Sequence, residues 1–365
     1  MHTESLYRVA LTMVPNIGPV QAKLLTDTLG SATDIFRARQ QTLESIEGIG
    51  SVKASCIRKF NSFNLAEDEL RFAEKFGVQL LFLTDENYPK RLLHCYDPPT
   101  LLYYRGEADL NHPRMLSVIG TRNKTDYGKQ LTEQLVRELC SQNITVVSGL
   151  ALGIDAVAHK TCVKSSKPTV AVVGHGLDNI YPPEHRPLAR DICRSGGGML
   201  TEFRSNTRPD RHHFPLRNRI VAGISDATIV VETDVKGGSM ITASLANSYN
   251  RDVFAYPGKT TDTKSAGCNQ LIRNNRAVLV TSANEILDSL GWIPQQKPVS
   301  TQTSLFVALN EEEKKIVQLL AVGSVHIDTL RLQSGISAAA FATALLQLEL
   351  KAVITTMPGN MYKLL

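Results

Sequence analysis

Residues 116–160, LSVIGTRNKTDYGKQLTEQLVRELCSQNITVVSGLALGIDAVAHK, constrain the fold of this chain more than any other stretch. LSVIG is a short apolar run of the kind that fills the middle of a parallel sheet, and Leu131, Leu135, Val136 and Leu139 after it repeat at helical spacing. The pattern reads as strand, tight glycine turn, amphipathic helix, second strand, second small-residue turn and the start of another helix. Two strand-to-helix turns, Gly120-Thr121-Arg122 and the one opened by Ser148-Gly149, then lie side by side at the carboxyl ends of neighbouring strands. Open α/β sheets bind ligands there, because backbone amides and helix N-termini converge on anions. The dinucleotide fingerprint G-x-G-x-x-G is absent. The first turn offers a hydroxyl and a guanidinium instead, which suits a phosphate and calls for no cofactor.

Strands and helices go on alternating through 114–292, the signature of a doubly wound, mostly parallel sheet. Strands are expected at 168–174, 199–203, 227–233, 252–258 and 277–282, with helices at 187–194, 217–223, 240–249 and 268–275. Gly237-Gly238-Ser239 supplies a third anion-binding turn, in which two glycines permit close backbone approach and Ser239 is placed to cap the helix after it.

Charge sharpens this reading once it is divided along the chain. Residues 1–75 carry nine basic and nine acidic side chains, residues 76–292 carry 25 against 21, and residues 293–365 carry six against five. The surplus is therefore central, and between residues 204 and 219 five arginines and two histidines face a single acid, Asp210. A run of this kind is either a solvated face or a ligand-binding loop; Phe214 within it favours a ligand that can be stacked.

The flanks differ in character. Residues 1–75 are helical, with two glycine hairpins, VPNIGPVQAKLL and IEGIGSVKASCI, similar to the helix-hairpin-helix unit. Such hairpins either turn the chain or cradle a backbone phosphate with their amides. The first copy has Asn16 where the second has Gly48. Tyr96, Tyr103 and Tyr104 belong to a lead-in segment expected to pack against the sheet. Residues 293–304 read as a Pro, Gln, Ser and Thr linker, and 305–365 as three helices and a β-hairpin around Pro358-Gly359-Asn360, a winged helix. Its third helix, 337–351, has one lysine and no arginine, which argues against base reading in a major groove. No cysteine pair has C-x-x-C spacing, and no leader or membrane-length apolar run is present, so reduced thiols, no metal site and a cytoplasmic location are expected.

VIGTR (118–122), SGLALGIDAVAH (148–159), HHFPLRNRIVAGIS (212–225), GGSMITASLAN (237–247), VFAYPG (253–258) and AGCNQLIRNNRA (266–277) occur in this order within one α/β segment. Together they resemble the DNA-processing protein A (DprA/Smf) family over essentially the whole chain. The resemblance implies a single-stranded-DNA-binding recombination mediator that protects incoming DNA and loads the RecA recombinase during natural transformation. It also implies an extended Rossmann-like domain that forms homodimers, a small N-terminal helical domain and a C-terminal winged helix. On this resemblance Arg122 contacts phosphate, Phe214 stacks on a base with Arg211 as the basic residue before it, and Arg217, Asn218 and Arg219 close the motif. Gly120, Thr121, Ser148, Gly149, Lys160, Gly237, Gly238 and Ser239 complete the expected DNA-binding set. Where relatives usually continue with a Gly-Ala-Leu-like run after Ala158-His159, this chain has Lys160-Thr161-Cys162.

An enzymatic alternative comes from lysine-decarboxylase-like nucleoside monophosphate phosphoribohydrolases, which carry a similar glycine-rich helix start. Glu202 and Glu232, both at strand ends, are the acids available for such work. The Asp155/His159 pair, four residues apart, reads as a helix cap satisfying a neighbouring imidazole; alone it defines neither a triad nor a metal site.

Overall fold

A computed structural model describes residues 3–293 and 309–365. The expected linker falls almost wholly outside them. Nine strands form one sheet: β1 (Gln79–Phe82), β2 (Leu101–Gly106), β3 (Met115–Ile119), β4 (Thr145–Ser148), β5 (Thr169–Val172), β6 (Gly198–Thr201), β7 (Ala227–Val230), β8 (Asp252–Ala255) and β9 (Val278–Leu279). Their order is β1-β2-β6-β5-β4-β3-β7-β8-β9, antiparallel at β1-β2 and β2-β6 and parallel elsewhere. The central strands β3, β4, β5 and β7 are buried on both faces, which is why they appear in the sequence as continuous apolar runs.

The chain advances from β3 through β4 and β5 to β6 in one direction and then returns to lay β7 on the other side of β3. This reversal is a topological switch point, and it opens a crevice beyond the carboxyl ends of β3 and β7. The turns that bear the Gly120, Gly149 and Gly237 motifs therefore emerge together.

Several local expectations need correction. The helix expected at 217–223 is His213–Ile224, so Phe214 sits in its first turn and not in a loop. Tyr103 and Tyr104 are buried as expected, within β2, but Tyr96 departs from the expectation: it is exposed and leans on Tyr249 at 5.4 Å. Ser239 does not cap its helix, Gly238–Ser248; Gly237 is the N-cap, and the Ser239 hydroxyl donates to Thr233 Oγ1 at 2.6 Å. Nor does Asp155 cap the helix Ile154–Lys164: Gly153 does, and Asp155 accepts from the Gly149 amide at 3.1 Å. His159 is satisfied by Thr169 Oγ1 at 2.9 Å and not by Asp155. The Thr169 hydroxyl donates to Val146 O, so the imidazole hydrogen belongs on Nδ1, leaving Nε2 buried without a partner.

Helices fill Glu4–Leu11 through Phe63–Phe76, and Gly77 ends the last of them at φ 62° before β1 begins. Asn16 adopts φ 63° in the first hairpin, matching the left-handed backbone of Gly48 at φ 85° in the second. Asparagine tolerates that region, but the hairpins diverge at their second glycine, extended at φ −93° for Gly18 and left-handed at φ 56° for Gly50. Glu69 from the last helix is buried and accepts from the Ser205 amide at 2.9 Å and the Ser205 hydroxyl at 2.5 Å, tying the helical segment to the start of the arginine loop. At the other end the helices Glu311–Leu320, Ile327–Ser334 and Ala338–Leu350, with strands β10 (Val325–His326), β11 (Ile354–Met357) and β12 (Met361–Leu364), form the winged helix. Asn310 and Glu313 cap its first helix reciprocally. All six cysteines are free, no described helix is long and apolar enough to cross a membrane, and the described residues contain no metal-binding group of His, Cys, Asp or Glu.

Glu69→Ala would leave the buried Ser205 amide and hydroxyl hydrogen without their acceptor, and the expected loss is about 1–3 kcal/mol of unfolding free energy, measurable by denaturant titration. Burial holds the His159 imidazole down at about 3, from an ordinary 6.5, so on acidification the unfolded chain gains this proton well before the native one. Stability should therefore fall as pH drops below about 6.5, by up to about 1.4 kcal/mol per pH unit from this group. His159→Gln should give a shallower fall in thermal midpoint between these pH values; an unchanged slope would count against the assignment.

Candidate nucleic-acid interface

The crevice at the switch point is a cleft of about 680 Å³. One wall is the turn after β3: the Thr121 amide donates to Glu232 O at 2.6 Å and the Thr121 carbonyl accepts from Ile154 N at 3.1 Å. That pinning sends the Arg122 side chain outward, where its guanidinium carbon stands 5.3 Å from the centre of the Phe214 ring. Gly153 makes the close approach possible at φ 83°, since a Cβ there would collide with the carbonyl oxygens of Thr121 and Arg122. The opposite wall is the start of the helix Gly238–Ser248, whose first amides lack intrahelical acceptors and where nothing stands within 4 Å of a Cβ built on Gly238. Electropositive backbone thus faces an exposed guanidinium across the opening.

The arginine loop splits into two functional halves. Arg204, Arg208 and Arg211 are exposed, and Arg211 lines the cleft beside Phe214. Arg217 and Arg219 are buried, at 4% and 7% exposure, because their helix turns them beneath the surface. Arg219 donates to the Glu202 carboxylate and the Asp97 carbonyl. Arg217 lies on the cleft floor and donates to the carbonyls of Gly149 and Val172, with its Nε on Asn218 Oδ1 at 3.2 Å. Burial brings Arg217 down to about 10, while nearby Asp155, itself pushed up by burial, favours its charge. Gly149 has no room for a Cβ, which would fall 2.5 Å from the Arg217 guanidinium.

Gly120, Thr121, Arg122, Gly149, Arg211, Phe214, Arg217, Asn218, Gly237, Gly238 and Ser239 all line this one cleft. Ser148, Lys160 and Arg219 do not. Ser148 is fully buried, with its hydroxyl donating to Val118 O at 2.7 Å. Lys160 lies in a separate cleft with Lys124, Lys129 and Lys164, and Arg219 is consumed by its ion pair. Tyr181 was not anticipated. It is 43% exposed, lines the cleft, and its ring centre is 5.8 Å from that of Phe214 at 37°. The only signal for it in the sequence is an aromatic residue before two prolines, following the carboxyl end of β5.

The acids that a phosphoribohydrolase would use are both engaged elsewhere. Glu202 is paired with Arg219, and Glu232 accepts from the Thr125 amide at 3.0 Å and the Thr125 hydroxyl at 2.8 Å, holding the start of the helix Asp126–Ser141.

This geometry agrees with comparisons to known proteins. The family described as DNA recombination-mediator protein A matches residues 79–291, and the DprA winged helix domain matches residues 301–360. The chain is similar to Protein Smf of Synechocystis sp., 37% identical over 301 residues and covering 80% of this chain and 74% of that one. It is also similar to Protein Smf of Escherichia coli, 34% identical over 303 residues, 82% of this chain and 80% of that one. Among solved structures, DNA processing protein A of Streptococcus pneumoniae matches with a TM-score of 0.65 and 29% identity, over 79% of this chain and 98% of that one. DNA processing protein A of Helicobacter pylori matches with a TM-score of 0.54 and 33% identity, over 59% of this chain and 96% of that one. The match to the recombination-mediator domain alone spans more than half of the chain, and four of the six motifs, at 118–122, 148–159, 212–225 and 237–247, supply residues to one cleft: the chain belongs to the DNA recombination-mediator protein A (DprA/Smf) family.

Proposed function

We propose that this protein binds single-stranded DNA in the cleft between Arg122, Phe214 and the Gly237-Gly238 helix start, without catalysis of its own, and hands the strand to RecA as a homodimer built through its Rossmann-like domain. The observation that carries this reading is the aromatic pair of half-buried Phe214 and exposed Tyr181, both lining the cleft beside an exposed guanidinium. Bases stack on aromatic faces whatever their identity, while cationic groups follow the backbone, and the combination suits a flexible strand without sequence preference. Supporting it further, the solved Helicobacter pylori relative is a protein with a single-stranded-DNA binding mode. The hydrolase alternative has weaker support, because Glu202 and Glu232 hold structural partners. The leucine-rich third helix of the winged helix, with Leu346 and Leu350 exposed, suits contact with protein better than with a groove of DNA.

Each component has its own signature. Arg122→Ala should weaken binding to oligo-dT, oligo-dC and oligo-dA by a similar factor and lower the log–log salt slope by roughly 0.7, as read by fluorescence anisotropy across a salt series. An effect confined to one base composition would contradict the phosphate role. Phe214→Leu should cost on the order of 1–3 kcal/mol of binding while the slope stays near its original value. A collapsed slope would mean that Phe214 holds Arg122 in place and does not stack.

A further inference from the structure

A further basic cleft, of about 590 Å³ and distinct from the lysine-lined one, runs along the helix Arg186–Arg194 beside the loop that carries Tyr181. Arg186, Arg190 and Arg194 recur every four residues, so they share one face and step about 6 Å apart along the axis. Arg105 of β2 joins them from the sheet. All four are exposed, and none takes part in an ion pair among the described residues. The same helix buries Leu188, Ala189 and Ile192, so its fold needs the apolar face and makes no demand for arginine on the other. Beside the guanidinium groups the lining includes apolar Leu177, Ile180 and Met199, together with polar Asp178 and Asn179. Asp178 lies at the rim, with Oδ1 accepting from the Asn206 amide at 2.9 Å. Asp191 is exposed on the same helix, one position past Arg190 and off the arginine face.

The two clefts adjoin through one loop. Asp178, Asn179 and Ile180 line the arginine cleft, and the next residue, Tyr181, lines the central one against Phe214. We propose that the arginine cleft is a continuation of the single-strand path: a strand stacked on Phe214 and Tyr181 passes over the 178–181 loop and lays successive phosphates along Arg186, Arg190 and Arg194. Guanidinium groups suit this task, since each offers a planar fork of donors to a phosphate's oxygens. The regular step along the helix is comparable with the spacing of phosphates on an extended strand, and the apolar part of the lining accepts bases that a single strand leaves unpaired. The inference rests on the central cleft being the primary single-strand site, and it assigns that site a longer footprint than the cleft alone provides.

The test uses the full-length protein and oligo-dT of increasing length, from about 4 to about 16 nucleotides, in fluorescence anisotropy at several salt concentrations. In the unaltered protein affinity should rise with length beyond what fills the central cleft. The double variant Arg190→Ala/Arg194→Ala should bind the shortest oligomers as before, lose the gain with length, and show a salt slope lower by about 1.4 on long oligomers, from roughly 0.7 per phosphate contact. Both side chains are exposed, and an unchanged thermal midpoint would establish that the fold is intact. An unchanged length dependence in the double variant, with Arg122→Ala still weakening every length, overturns the proposal and leaves the central cleft standing. If Arg122→Ala weakens nothing, the central reading itself is what fails. Poly-glutamate that binds the unaltered protein but not the double variant, with no change in oligo-dT binding, would assign the cleft to an acidic protein segment and likewise overturn the proposal.

Discussion

Arg217 carries its guanidinium into a site only 4% exposed, where it donates to the carbonyls of Gly149 and Val172 beside the carboxylate of Asp155. Those carbonyls belong to the ends of two neighbouring strands, β4 and β5, and the arginine comes from a helix inserted after β6. One buried cation thus fastens three crossover connections together at the rim of the sheet. Removing a buried charge's partners is expensive, so this arrangement persists only as a set. The floor of the cleft depends on it, and so does the position of Phe214, one helical turn earlier on the same helix.

Above that floor the cleft is built from backbone. The turn after β3 is held by Glu232 through both its carbonyl and its carboxylate, and Gly153 lets the next turn pass close beneath it. These bonds leave the Arg122 side chain projecting into solvent against Phe214. Loops pinned by hydrogen bonds at the rim of a sheet, with an exposed guanidinium at the tip, form an arrangement suited to gripping a flexible chain without reading it.

The arginines of 204–219 illustrate how one composition serves two ends. Three face water and two sit inside, yet nothing in their immediate neighbours separates the groups. The difference comes from the helix, which begins at His213 and so rotates positions 217 and 219 toward the sheet. Glu202 and Glu232 show the same duality: both end strands on the ligand-facing rim, and both are taken up by partners more than 15 positions away in sequence.

By itself the sequence determined the alternation of strands and helices, the three glycine turns, the helical N-terminal segment and the winged helix. These depend on periodicity, on apolar runs and on residues that alone tolerate certain backbone angles, all local properties. It also singled out Arg122 and Phe214, through motifs carried by a family resemblance. What only the tertiary structure decided was which polar groups are free. Ser148, Arg217 and Arg219 find their partners across 30, 68 and 17 positions, Tyr181 meets the helical Phe214 from a loop after β5, and the arginines that follow Tyr181 line a cleft adjoining the central one. Burial and pairing are properties of neighbours brought together by folding, and a linear pattern does not encode which neighbours those are.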